Sequence, residues 1–159
     1  MHYCKSCPAP IGRLTLYSDG KALTGISFEH HRNFTPPAKV IPGDLPVFWA
    51  VETWLERYFA GQKPNPADLP LHFDGTPFQK SVWKALLEIP YGTSVTYGEL
   101  AKKLGTSAQA IGGAIGRNPI SILCPCHRVL GTGGKLIGYA GGLEMKVRLL
   151  ELEHIPYRP

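Results

Sequence analysis

Two helix-start signatures follow one another closely over residues 96–116. Thr96-Tyr97-Gly98-Glu99 has the order of a capping box, in which the first hydroxyl and the last carboxylate each accept from the other residue's backbone N–H. The spacing predicts a helix to about Leu104, stopped by Gly105, and a second helix capped by Ser107 that runs through Ile111 to about Gly116. Two short helices separated by a glycine turn make a helix-turn-helix, which constrains the C-terminal half to a mostly helical body. Such pairs serve as DNA readers and as plain scaffolding, so the motif alone leaves function open. The second helix is unusually bare, with Ala108, Ala110, Gly112, Gly113, Ala114 and Gly116. An interior glycine costs roughly 1 kcal/mol relative to alanine. So thin a surface lets a backbone approach a partner closely, or lets another helix pack against it. With Gln109 the one long polar side chain near its start, this helix is poorly equipped to read base edges in a major groove. A narrower groove and backbone contacts suit it better.

The elements around the pair are legible from caps and periodicity. Thr76-Pro77-Phe78-Gln79 offers an N-cap, a proline at the first helical position and a capping glutamine. Phe78, Val82, Trp83, Leu86 and Leu87 then predict a helix to about Glu88. The turn at 131–134 is expected to form a winged hairpin with Lys135 and Leu136. The bare loop at 138–142 leads into a helix over 143–153, with Met145, Leu149, Leu150 and Leu152 inward and Lys146 and Arg148 more exposed. In the N-terminal half, Ile11, Leu14 and Leu16, then 22–28, flank Asp19-Gly20 and read as a hairpin with a type I′ turn. Residues 30–46 read as a surface loop with His30, His31 and Arg32 solvated. An amphipathic helix is expected over 47–59, then a proline-rich linker over 62–70 and an extended return at 69–73. Nothing in this half suggests a reaction centre.

Chemistry concentrates in 118–129, where Cys126, His127 and Arg128 stand in a row behind Pro125. A thiol beside a histidine or arginine is expected to have a lowered pKa and more of the reactive thiolate. Adjacency is not contact, because successive side chains of an extended segment diverge. A Cys126–His127 relay therefore needs a bent backbone, a bridging water or a third group, and Pro119 and Pro125 suit an irregular segment. The 43% hydrophobic and 18% charged composition indicates a folded chain, and the net charge of +5 favours a polyanionic partner, nucleic acid before a membrane surface. No leader-like or membrane-length apolar run is visible, so the protein is expected in the cytoplasm with its four cysteines as free thiols. Cys4, Cys7, Cys124 and Cys126 are too irregularly spaced for the usual zinc knuckles, and no metal is expected.

The ordered motifs of 76–153 resemble the O6-alkylguanine-DNA alkyltransferases, or methylated-DNA–protein-cysteine methyltransferases. The likeness rests on Pro77-Phe78-Gln79 with Val82-Trp83, Ile89-Pro90-Tyr91-Gly92, Tyr97, Gly112-Gly113-Ala114, Asn118-Pro119 and the 125–129 segment. Gly138-Tyr139, Gly141-Gly142, Lys146, Leu149-Leu150 and Glu153 complete it. The N-terminal half is only loosely similar, through Pro10-Ile11-Gly12 with Leu14 and Leu16. The resemblance implies an α+β fold: a small ribonuclease H-like α/β domain over 1–75, then a winged helix-turn-helix domain over 76–159 carrying the active site. It implies that Cys126 accepts the alkyl group of O6-alkylguanine, irreversibly and once per molecule, without a cofactor, and it leaves open whether O4-alkylthymine is a further substrate. His127 would activate the thiol through a water, with Glu153 holding the imidazole. Tyr97 would donate toward the leaving guanine, and Asn118 would brace the active-site turn. Tyr139, Ala140 and Gly141 would wall the base pocket. Thr96, Gln109, Ala110, Gly113, Arg117 and Arg128 would face DNA or the base. The partner would be double-stranded DNA bound through its minor groove, with the base flipped out, by a monomer that touches no membrane. One departure is Gln109, where the family commonly carries an arginine that fills the hole left by the base. Lacking guanidinium charge and stacking, Gln109 predicts weaker lesion extrusion or slower repair. Alternatives are a non-catalytic lesion binder, which would lack Cys126, a thiol hydrolase and a winged helix-turn-helix regulator.

Overall fold

Alternating apolar residues build the N-terminal sheet. The computed structural model describes residues 1–29, 34–139 and 142–159, so His30, His31 and Arg32 lie outside the described residues. Strands β1 (His2–Ala9), β2 (Gly12–Ser18), β3 (Leu23–Phe28) and β4 (Val40–Pro42) form a sheet in the order β3-β2-β1-β4. β1–β2 and β2–β3 are antiparallel, and β4 runs parallel to β1. Leu14, Leu16, Leu23 and Ile26 point inward with no exposure. β1 has no sequence signal because only Cys7 along it is buried. β4 falls inside the expected 30–46 loop; it is short and largely exposed, so no alternating pattern marks it.

The β2–β3 connection is longer than the expected type I′ turn. Ser18 pairs with Leu23, and the Asp19 carboxylate accepts from the N–H groups of Lys21 and Ala22, both at 2.9 Å. The aspartate side chain organises the turn in place of a two-residue backbone turn. Helix α1 (Pro46–Phe59) packs on β1 and β2, burying Val47, Phe48, Val51, Trp54, Leu55 and Tyr58. The exposed edge of β3 is then covered twice. Leu23 donates to Pro70 at 2.8 Å, and His72 returns a bond to Leu23 at 3.0 Å, so the 69–73 segment does rejoin the sheet. Farther along, Ile26 donates to the carbonyl of Pro119 at 2.9 Å. Unpaired strand edges invite adventitious pairing, and here the loop leading to Cys126 occupies one.

The C-terminal half is a helix cluster. Helix α2 (Pro77–Leu87) carries both hydrogen bonds of its capping box. Strand β5 (Val95–Thr96) leads into α3 (Tyr97–Leu104), which also has a complete capping box and ends at Gly105 with φ 67°. Helix α4 (Ala108–Gly116) packs on α3 and α2, and Trp83 Nε1 donates to the Ala114 carbonyl at 2.9 Å. Strand β6 (Val129–Leu130) pairs parallel with β5, and α5 (Leu143–Leu152) closes the body. The 131–134 turn does not return as a hairpin: Gly131 donates to Lys135 at 2.7 Å, while Lys135 and Leu136 pair with Arg158. The chain's last residues take the place of the hairpin's second arm. No helix among the described residues is long and apolar enough to cross a membrane.

Candidate active site

Between α4 and Cys126 the backbone makes consecutive tight turns held by one buried amide. Leu123 donates to Ser121 at 2.9 Å across Ile122, which sits at φ 73°. That is a γ-turn of the rare positive-φ kind, and a β-branched residue at such an angle is strained. Cys126 donates to Cys124 at 2.8 Å across Pro125, at φ −83° and ψ 65°, the inverse γ-turn that proline's ring favours. Asn118 ties the two together: Nδ2 donates to Cys124 O at 2.8 Å and Oδ1 accepts from Ile120 N at 3.1 Å. A 3-10 turn, Cys126–Arg128, follows.

His127 and Arg128 converge on Glu153, the C-cap of α5. His127 Nε2 lies 2.6 Å from Glu153 Oε2, and Arg128 reaches Oε1 through Nε at 2.7 Å and Oε2 through Nη2 at 3.1 Å. Gly92 N–H donates to Oε1 at 3.0 Å, and the Tyr58 hydroxyl donates to Oε2. Burial alone would push the carboxyl up, but the hydrogen bonds and charges of His127 and Arg128 hold it at about 2. Burial is the largest influence on His127 and lowers it, outweighing the upward pull of Glu153. With Nε2 engaged at Glu153, its buried Nδ1 has no protein partner and is the free lone pair.

Cys126 faces a different set of groups. Burial pushes its thiol up, and Asn118, Lys146, Tyr139 and its own backbone N–H pull it only partly back. The expected lowering by His127 or Arg128 is therefore corrected: desolvation dominates, and Arg128 is neutralised by Glu153. The nearby cation is Lys146, expected on an exposed position but in fact fully buried. Its ammonium donates to the carbonyls of Val129 and Ile137 at 2.8 Å each and of Gly138 at 3.4 Å. These carbonyls make burial tolerable, yet desolvation still lowers the amine to about 8.

Tyr97 and Tyr139 line a cleft of about 630 Å³ that also takes in Gln109 and Gly112. Burial and the charge of Cys126 raise both phenols, Tyr97 to about 12. The Tyr139 hydroxyl is buried near Cys126 and Ser121 but makes no hydrogen bond of ordinary geometry. Gly113 is exposed, and a Cβ there would meet nothing within 4 Å. At Gly113 α4 is thus not packed against another helix, whereas a Cβ at Gly112 would come 4.0 Å from the Tyr97 ring and the Ala114 carbonyl meets Trp83.

A family model for the DNA-binding domain of 6-O-methylguanine DNA methyltransferase matches residues 77–155, and one for its ribonuclease-like domain matches 2–73. The chain is 47% identical over 152 residues to a Haemophilus influenzae methylated-DNA–protein-cysteine methyltransferase, covering 94% of this chain and 85% of that protein. The chain belongs to this methyltransferase family. The Mycobacterium leprae methylated-DNA–protein-cysteine methyltransferase is 45% identical over 158 residues, covering 96% and 93%. The structure of Mycobacterium tuberculosis OGT in complex with DNA matches with a TM-score of 0.86 at 44% identity, covering 95% of this chain and 92% of that one.

The methyltransferase fold brings Cys126, Asn118, His127 and Glu153 together, with Tyr97 and Tyr139 near enough to feel the thiol's charge. Gln109, Ala110, Gly113 and Arg117 lie along the open side of α4, at least partly exposed. The Thr96 hydroxyl is occupied in capping α3, where it accepts from Glu99 N at 3.0 Å. Arg128 does not face DNA: it is 7% exposed, committed to Glu153 and to the Ile89 carbonyl at 2.7 Å. Ala140 and Gly141 lie outside the described residues. Among the described residues no cluster of metal-ligating side chains forms. Two contributors escaped the sequence reading. Lys146 shares a helical stripe with Leu149, Leu150 and Glu153, a spacing that could have marked it as inward. Tyr58 lies in an apolar stripe of α1 and meets a partner 95 residues away, for which sequence carries no signal.

Proposed function

We propose that this protein repairs alkylated DNA by moving the alkyl group of O6-alkylguanine onto its own Cys126, irreversibly and once per molecule. The observation that carries this reading is a buried thiol that acts on Tyr97 and Tyr139, two phenols of one cleft, beside a Glu153–His127 pair with a free Nδ1. The partner is DNA, consistent with the family and with the DNA-bound mycobacterial relative. We take it to be double-stranded, contacted through its minor groove by the bare face of α4, and bound by a monomer with its domain division at 75/76. O6 of a stacked base is out of reach of a buried sulfur, so the nucleotide must leave the helix and enter the cleft.

The proton and electron count closes as follows. His127 Nδ1 takes the thiol proton through a water, and Glu153 stabilises the resulting imidazolium. The sulfur lone pair attacks the alkyl carbon in line, the carbon–O6 bond breaks, and its electrons remain on guanine. Tyr97 donates its proton toward the leaving base, and the proton lost by the thiol restores the phenol. Charge coupling times this donation. While Cys126 is a thiolate it holds the Tyr97 phenol up, at about 12 with burial. As the C–S bond forms that charge disappears, and the phenol becomes a better acid when the guanine needs a proton. Lys146 steadies the thiolate beforehand. Gln109 stands where relatives commonly have arginine and should extrude lesions less effectively.

A duplex carrying one O6-methylguanine, mixed with the protein and followed by intact and peptide mass spectrometry, tests the reading. One methyl on the peptide containing Cys126, saturating at one per protein and absent from Cys126→Ala, is the expected result. Duplex binding without methyl transfer would instead favour a lesion binder.

A further inference from the structure

We propose that Tyr58 is a positioning residue of the transfer reaction: its hydroxyl shares Glu153 with His127 and so sets the proton affinity of that imidazole. The N-terminal half thereby takes part in the chemistry. The inference rests on the transfer reading above. Tyr58 comes from α1, yet its hydroxyl donates to Glu153 Oε2, the same oxygen that holds His127 Nε2, and lies 3.5 Å from Nε2 itself. It is fully buried, stacked on Trp54 with ring centroids 5.5 Å apart and edge-on to Phe59 and Tyr91. These rings fix the direction of the hydroxyl, and burial beside a carboxylate keeps it protonated, so it remains a donor.

The charged and titratable groups around it are few. The loop after α2 brings Tyr91, which has Lys63 5.6 Å from its ring, and the N–H of Gly92. The 3-10 turn brings His127 and Arg128, and the end of α5 brings Glu153. Lys146 acts on His127, and Cys126 and Tyr58 both act on Tyr139. Each donor to Oε2 disperses the negative charge available to an imidazolium. Of the hydroxyl's two contacts the one to Glu153 is the shorter, so its withdrawal of charge outweighs the direct effect of its oxygen on Nε2. With this donor the imidazole sheds its proton more readily, and it stands free to accept one from the thiol at neutral pH.

The test is single-turnover methyl transfer from an O6-methylguanine duplex to the full-length protein across pH 5–9, with duplex affinity measured separately. Tyr58→Phe keeps the ring and its packing and removes only the hydroxyl. The acid limb of the rate profile should move up by about one unit, which lowers the rate below that limb about tenfold. The rate on the alkaline plateau and the duplex affinity should stay within about twofold. Superimposable profiles, a downward shift of the limb, or an equal loss at every pH would each overturn the proposal, the last by showing a packing role only. A wild-type protein that never becomes methylated would overturn the transfer reading itself, and this inference with it.

Discussion

Glu153→Gln keeps the shape of the side chain and removes its charge. In the folded protein both carboxylate oxygens are in use, Oε1 by Arg128 Nε and Gly92 N–H, Oε2 by His127, Arg128 Nη2 and Tyr58. Glutamine offers one acceptor oxygen and turns an amino group toward the remaining donors. Arg128 would be left as a buried cation with no counter-charge, a situation that costs on the order of 3–5 kcal/mol. The carboxyl's titration gives an independent figure. Its pKa lies at about 2 against an ordinary 4.5, and at roughly 1.4 kcal/mol per unit that difference is worth about 3 kcal/mol. Urea unfolding at pH 7 should therefore show Glu153→Gln less stable by about 3 kcal/mol. The sign in pH follows from the depressed folded value. The contribution is whole above 4.5 and is lost as pH falls toward about 2, so the variant should have a flatter stability profile over that window. A variant within about 0.5 kcal/mol of wild type at pH 7 would refute the argument, since that is the scatter of an ordinary surface change. So would an equally steep acid loss.

Two further outcomes follow from the cleft and its loop. Gln109→Arg should raise single-turnover repair of an O6-methylguanine duplex, and the affinity for it, by about fivefold, one stacked guanidinium being worth ~1 kcal/mol; unchanged values would reject the role assigned to Gln109. Asn118→Ala leaves the Ile120 N–H buried without a partner and the Cys124 carbonyl with the Cys126 N–H alone, and should cost about 1–3 kcal/mol in thermal unfolding, with slower methyl transfer. An unaltered melting temperature would mean that water replaces the amide at no cost.

Most of the helical half was legible because its signals are local. The capping boxes at Thr76 and Thr96, the serine cap at Ser107 and the stop at Gly105 act within a few residues of themselves, and each appears where the sequence puts it. The alternation in β2 and β3 reported their buried face in the same way. β1 and β4 were silent because their hydrogen bonds come from neighbouring strands and little of their side-chain surface is buried. The supposed wing failed for a related reason. Its turn is local, but the strand that pairs with Lys135 is the chain's own end at Arg158, which no nearby residue announces.

The same division runs through the site. Sequence order alone determined that a cysteine, a histidine and an arginine adjoin in an irregular, proline-set segment behind a bare helix, and motif likeness pointed to Glu153, Tyr97 and Asn118. Only the tertiary structure decided which charge meets which. It buries Arg128 on Glu153, draws Lys146 inward beside the thiol, and brings the Tyr58 hydroxyl across from the other half of the molecule. It also reverses the expected thiol shift. The reason is physical: caps, turns and periodicity depend on neighbours along the chain, whereas desolvation and ion pairing depend on neighbours in space, which exist only once the chain has folded.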